Sequence, residues 1–527
     1  MEYVPGTPGA PWTLEEMLTV KAKLHSIFYS GWVANQLPIS DHWRWFSAAK
    51  ALRLGFHDCL KYKDGTGGCD GCLNWHGVGV EVPFNMGKAY HLPDSLIGNN
   101  NGLGHSAWVL EQIYTDPAFP NSVTGFTHTP NLDVSLKASG KSRADLWAFA
   151  ALTAVEYTIE SHNLVCTGTN NYTVEGQCDY RSGTDECKLT LPRPFQFQTG
   201  RKDCTQFGDE GYKAIKEEHH PNAHGNGQMT IDFFKESFGF SGREIAAIMG
   251  SHTVGRFNKQ ISSMPYVWTS SSERLFNNHY YKNIVREGFP NVLNKWQCNS
   301  IGLADGSPGP ARYLAFTERQ FESGGPVMWV NVKKQCPNCK ERRKAKKAFC
   351  KNLPEGVRCH PEGERFRVNK GQDEIALNSE MGLYFDFNVT DGGIPYGCPG
   401  FDYFNNDIWS QQKHGCLNCW TRYPKTDNPR FTAKDDWYTD DINCQLNKMQ
   451  VPSGSTPMHE IYEEYAADQQ KWIEDYVPTF EKMISNGYGA GELTNAPDHY
   501  TNVICPRPKE NGWSYYFSCY QSTDIPK

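Results

Sequence analysis

From Leu14 to Cys59 the apolar residues recur at helical intervals, with Trp45, Ala49, Leu52 and Phe56 on one stripe, and the pattern stops in a Gly-rich loop, Asp64–Gly71. A second helix is predicted from Ser142 to about Glu160, with Asp145 three residues after Ser142 in a capping position. A third opens with the capping box Ser241-Gly242-Arg243-Glu244 and runs Ile245, Ile248, Met249 and His252 along one face. A fourth starts at Thr456-Pro457, a cap followed by proline, and runs to Gly487 with a kink expected at Pro478. Alternating, strand-like stretches are few and short, so the chain reads as mainly α.

Residues 1–13, rich in Pro and Gly, read as an N-terminal arm. The organisation expected is one domain over residues 14–490, interrupted by Cys-, Gly- and Pro-rich insertions at about 297–368 and 390–455, and a C-terminal extension over 491–527. The first insertion carries a basic run, Lys333-Lys334 and then Lys340 to Lys347, which reads either as a solvated face or as a contact for an acidic polymer or matrix. The longest apolar run, Leu146–Val155, is too short to span a membrane.

Composition narrows the function. A chain of 527 residues with net charge −7 does not suit nucleic acid as its main partner, because phosphate binding needs a basic surface. Eighteen cysteines and two N-glycosylation acceptors, at Asn171 and Asn388, fit a secreted, disulfide-bonded chain. The first residues show no basic end followed by an apolar stretch, so the chain reads as a mature form. The pairs Cys336/Cys339 and Cys416/Cys419 stand further apart than the pairs of a zinc ribbon, which favours disulfides inside the insertions.

Two segments carry candidate chemistry. In Arg53-Leu54-Gly55-Phe56-His57-Asp58-Cys59, Arg53 and His57 stand four apart and project from one helix face. An imidazole base beside a permanent cation suits a reaction that moves a proton while negative charge develops on a departing oxygen. In Met249-Gly250-Ser251-His252-Thr253-Val254-Gly255-Arg256, a histidine on an apolar stripe is either a satisfied core residue or the neutral imidazole that a haem iron requires.

Together the two segments resemble the distal and proximal motifs of the plant, fungal and bacterial haem peroxidase superfamily, and further islands follow in that family's order. The resemblance implies a two-lobed, mainly α fold holding haem b, with His252 as axial iron ligand, and hydrogen peroxide as substrate. Arg53, His57 and Asn100 would be catalytic, Asn100 accepting the ring N–H of His57 and leaving its other nitrogen as a base. Asp373, in Gly371–Leu377, is similar to the aspartate that bonds the proximal histidine. Ser142–Asp145 and Gly200–Asp203 resemble structural signatures of the fold, and Tyr465–Gln469 resembles the start of the final helix of the ascorbate and cytochrome c peroxidases. Phe56 in the distal pocket is similar to the secreted branches, whereas Trp268 in the proximal pocket resembles the intracellular branch; it is either a radical or electron relay or plain core.

The resemblance also implies cations. Asp58, Gly68 and Asp70 match a distal calcium loop, although Cys72 stands where a serine hydroxyl belongs. Thr253 and Thr269 match ligands of a proximal cation, potassium or calcium, although Asn277 replaces the usual aspartate. Cys59 and Cys69 match a disulfide of the plant secreted branch. The function expected is a secreted peroxidase oxidising phenolic or tyrosyl donors in one-electron steps, in a role such as matrix cross-linking. The alternatives are an enzyme drawing electrons from a protein through Trp268, and a matrix component with an inactive peroxidase scaffold.

Overall fold

A computed structural model describes residues 5–33, 46–74, 99–100, 102–123, 129–166, 188–204, 216–223, 225–256, 268–269, 275–285, 296–300, 327–331, 374–389, 395–396, 447–450, 456–501, 503–505 and 519–521. Its helices are α1 (Leu14–Val33), α2 (Ala48–Asp58), α3 (Gly104–Thr115), α4 (Arg143–Cys166), α5 (Gly227–Phe238), α6 (Gly242–Met249), α7 (His279–Val285), α8 (Asn378–Met381), α9 (Met458–Ala467) and α10 (Gln469–Met483).

The first group of helices is built on α4. Every residue from Leu146 to Val155 is buried. The apolar run is therefore a core helix enclosed by α1, α2 and α3. Its alanines let α2 approach closely: a Cβ on Gly55 would stand 2.4 Å from the Ala151 methyl, so only glycine fits there. Ser47 caps α2, its hydroxyl accepting the Lys50 N–H.

The blocks Ser142–Asp145 and Gly200–Asp203 interlock. The Asp203 carboxylate accepts the N–H groups of Arg143 and Ala144, the orphan donors that open α4, at 3.0 and 2.9 Å. In return, Asp145 accepts the N–H groups of Gly200 and Arg201 and an ion pair from the fully buried Arg201 guanidinium at 2.8 Å. Arg201 also donates to the carbonyl of Ile484, just past α10, at 2.9 and 2.7 Å. Asn486 adds a second tie, its amide donating to the carbonyls of Cys59 and Ser237.

The second group gathers α5, α6, α7, α9 and α10. Ser241 and Glu244 form the expected capping box of α6. Beyond Met249, however, the chain tightens into a 3₁₀ turn, Gly250–Thr253, so His252 lies past the α-helix rather than on its apolar stripe. The fourth predicted helix is two. The break falls at Asp468, whose side chain accepts the N–H groups of Gln470 and Lys471 and so starts a new helix, whereas Pro478 lies inside α10.

Strand β1 (Pro5–Pro8) of the N-terminal arm pairs antiparallel with β3 (Lys202–Cys204), and β2 (Gln198–Thr199) pairs with Thr494–Asn495 of the C-terminal extension. The N-terminal arm and the start of the C-terminal extension are thus stitched to the fold. Strands β4 (Trp296–Ser300), β5 (Val327–Asn331) and β6 (Glu374–Leu377) form an antiparallel sheet, with Trp296 opposite Asn331 and Val330 opposite Ile375. Two of them fall in the expected insertion, where short strands gave no periodic signal. Disulfides join Cys59 to Cys69, Cys72 to Cys204, and Cys505 to Cys519. Asp373, Asn171, the basic run and both Cys-x-x-Cys pairs lie outside the described residues, as does the side chain of Asn388. Among the described residues no helix is long and apolar enough to cross a membrane.

Candidate functional site: two histidines held by side-chain acceptors

Ala49, Arg53 and His57 follow one another at four-residue intervals along one stripe of α2. His57 Nδ1 lies 2.8 Å from Asn100 Oδ1. The orientation of that amide is fixed from behind, because Asn100 Nδ2 donates to the carbonyl of Asn74 at 2.7 Å and to Glu218 Oε1 at 3.1 Å. Oδ1 therefore faces the ring, Nδ1 carries the proton, and Nε2 keeps its lone pair. Glu218 also accepts the N–H of Asn74 at 2.6 Å, and its other oxygen lies 3.6 Å from His220.

The electrostatics keep His57 neutral. Burial, then the charge of Arg53, then His220 push its pKa well below the ordinary value, against the opposing bond from Asn100. The His57 and His220 rings are 5.0 Å apart. Burial also brings Arg53 down to about 10, which leaves it charged at neutral pH, and it donates to the Asn99 carbonyl at 2.7 Å. One turn earlier, burial and the neighbouring Arg53 charge lower Lys50 to about 7. Lys50 is therefore only partly charged at neutral pH, and the lasting positive charge on this stripe is that of Arg53. Phe56 turns away from this stripe and packs on Phe234 and Phe238 of α5.

The second histidine is held from below. His252 Nδ1 donates to Glu380 Oε1 at 2.7 Å, and the other oxygen of Glu380 accepts the N–H of Leu377 at 2.7 Å. Glu380 is fully buried, while the His252 side chain remains 36% exposed, its Nε2 available as a ligand. The carboxylate bonded to His252 is thus Glu380, seven residues beyond the Asp373 expected in that place. Strand β6 delivers it into α8, where close contact between Gly382 and Gly227 seats α8 on α5; a Cβ on Gly227 would strike the Gly382 carbonyl. Trp268 lies flat on His252, with ring centroids 4.2 Å apart and planes within 5°. Gly255, just past the turn, abuts Ala49, since a Cβ there would lie 3.3 Å from the Ala49 methyl. The stripe of Arg53 and His57 thus begins beside the turn that carries His252.

Among the cation candidates, Asp58 and Asp70 are buried together. Asp58 Oδ2 has no hydrogen-bond partner, and burial and the Asp70 charge raise the Asp58 pKa well above its ordinary value. Such a pair suits a hard cation. Cys72 is no ligand, because its sulfur is consumed in the bond to Cys204; the grouping of Asp70 with those two sulfurs is therefore no thiolate site. Its N–H instead bridges Asp58 Oδ1 and Asp70 Oδ1, both at 3.2 Å. On the proximal side the Thr253 hydroxyl donates to Asn277 and the Thr269 hydroxyl to the Thr253 carbonyl, a set of neutral groups joined by hydrogen bonds.

Sequence reasoning missed Glu218, His220 and Glu380. The acidic and histidine run Glu217–His220 was the available signal for the first two; Glu380, third residue of a four-residue helix, offers none.

Residues 131–302, about a third of the chain, match the family model described as peroxidase. The matched stretch includes α4, Arg201, His252 and Trp268, and the mainly α fold around it is consistent with a peroxidase fold. This match supports the resemblance to the plant, fungal and bacterial haem peroxidase superfamily and a peroxidase-type function. No curated protein matches the sequence.

Proposed function

We propose that the protein is a catalytically active haem peroxidase. The observation that carries this reading is the fixed, neutral His57: the Asn100 bond at 2.8 Å dictates which nitrogen is basic, and the surroundings keep that nitrogen unprotonated. The chain's donor set fits haem b. His252 offers Nε2 with a buried carboxylate on its far nitrogen, the usual way to orient and strengthen an imidazole ligand, and the half-buried Arg53 supplies positive charge for an anionic group. When bound, the haem would supply the redox chemistry by which hydrogen peroxide is reduced.

The chain's own residues then manage protons and charge. His57 Nε2 accepts a proton from one peroxide oxygen and returns it to the other, which leaves as water. Arg53 stabilises the negative charge on the separating oxygens without changing its own protonation. Asn100 and Glu218 hold the ring so that no rotation is needed between the two transfers. Glu380 keeps His252 oriented. Phenolic or tyrosyl donors supply the electrons in one-electron steps, with matrix cross-linking as the consequence outside the cell. The three disulfides among the described residues support a secreted setting. Calcium at Asp58 and Asp70 would stabilise the loop after α2.

The test is His57→Ala in haem-loaded protein, followed by stopped-flow mixing with peroxide. The rate should fall by at least about 10²–10⁴-fold while haem remains bound; an unchanged rate would remove the base assignment. The flat stack of Trp268 on His252 favours one further reading, electron entry from a protein through that indole. Trp268→Phe should then abolish turnover with a protein donor and spare small phenols.

A further inference from the structure

Behind His252 lies a cluster of phenols. Tyr280 meets the His252 ring at 6.3 Å. From Tyr280 the rings continue to Tyr281 at 5.1 Å and Tyr462 at 6.1 Å, and from there to Tyr465 at 5.2 Å from Tyr281 and Tyr384 at 6.3 Å from Tyr462. All five are at most 3% exposed. Core packing alone would be served as well by phenylalanine, because burying a hydroxyl demands a partner.

The partners differ in kind. Tyr281 donates to the carbonyls of Ala246 and Ala247, and the Tyr280 and Tyr462 hydroxyls face each other at 3.4 Å. Neither arrangement includes a base that can take a proton away. Tyr384 instead donates to Glu463 Oε1 at 3.0 Å, and Tyr465 donates to Asp475 Oδ2 at 2.8 Å. Both carboxylates reach solvent, their side chains being 37% and 21% exposed. A phenol that loses an electron becomes strongly acidic, so a neutral tyrosyl radical settles where the proton has an acceptor. Among the described members of the cluster, Tyr384 and Tyr465 have one.

We propose that Tyr384 and Tyr465, reached from His252 and Trp268 through Tyr280, Tyr281 and Tyr462, form a second, buried oxidation site that draws electrons from bulky phenolic donors held at the surface beside Glu463 and Asp475. The inference rests on the peroxidase reading, which supplies the oxidant. Hydrogen peroxide, reduced to water, withdraws two electrons from the loaded protein; one is made good by Tyr384 or Tyr465, whose phenolic proton passes to Glu463 or Asp475. A phenol carried on a polymer then returns an electron to the tyrosine, which takes its proton back from Glu463 or Asp475, while the donor loses its own proton to solvent and is left as a phenoxyl radical.

The test mixes haem-loaded protein with one equivalent of peroxide and no donor, freezes it within milliseconds and records the electron paramagnetic resonance spectrum beside the optical spectrum of the haem. The wild type should show a tyrosyl radical. Tyr384→Phe and Tyr465→Phe should each alter its hyperfine pattern, and the double variant should lose it. A nitroso spin trap followed by peptide mass mapping should place adducts on those two residues, and turnover of a dextran-linked phenol relative to free phenol should fall in the double variant. Melting curves and haem spectra before peroxide establish that the variants fold. An optical change with no protein radical, or a radical that survives the double substitution, overturns this inference and leaves the peroxidase reading standing. No optical change at all overturns both.

Discussion

Replacing Glu380 by Gln keeps the side chain's size and removes its charge. In the structure this carboxylate is fully buried and accepts from His252 Nδ1 at 2.7 Å and from the Leu377 N–H at 2.7 Å. A hydrogen bond to a charged partner contributes about 1.5–3 kcal/mol and a neutral one about 0.5–1.5 kcal/mol, so the substitution should forfeit roughly 1–2 kcal/mol of the anionic support behind the ring. The negative charge favours the more positive oxidation state of a metal on Nε2. Its loss should therefore raise the Fe(III)/Fe(II) potential of the haem-loaded protein by about 45–90 mV, converting that energy for one electron at 59 mV per tenfold. Spectroelectrochemical titration measures the shift. The same variant should lose roughly 10–100-fold in activity. An unchanged or lowered potential in correctly folded E380Q would refute the reasoning, and so would an equal shift in Asp373→Asn with none in E380Q.

Two further outcomes follow from the distal side. Asn100→Asp places an anion on His57 Nδ1 and should raise the ring's pKa by about 1–3 units. Since the base acts only when neutral, the acid limb of the peroxide reaction should move to higher pH by that amount; a limb that stays in place would contradict the assignment of His57 as the titrating base. Asp58, with its folded pKa raised by burial and Asp70, costs stability in the cation-free protein as pH rises from its ordinary carboxylate value through the folded one. Calcium should therefore raise the melting temperature most at neutral pH, by about 2.7 kcal/mol of stability at one hundred times its dissociation constant. Asp58→Asn should abolish that response; a wild type indifferent to calcium would dispose of the distal site.

The helical periodicity of α2, α4 and α6, the capping box at Ser241 and the pairing of Arg53 with His57 were legible in the sequence, because each is a relation between residues within a few positions of one another. Tertiary structure decided the rest. Whether Nδ1 or Nε2 of His57 is the base depends on Asn100, forty-three residues away, and on Glu218 behind it, 118 residues further on. The partner of His252 lies 128 residues downstream, delivered by a strand from a sheet whose members are too short to show a period. Cys72, in the place of a cation ligand by sequence, instead binds the sulfur of Cys204. Asp468, one carboxylate among many in the chain, breaks a helix because its side chain reaches two backbone N–H groups that a straight helix would have used. Local pattern specifies where helices form and which faces they bury. Which carboxylate, amide or sulfur meets a given histidine or cysteine is settled only when those faces pack, since contact across the fold depends on the register of whole elements and not on spacing along the chain.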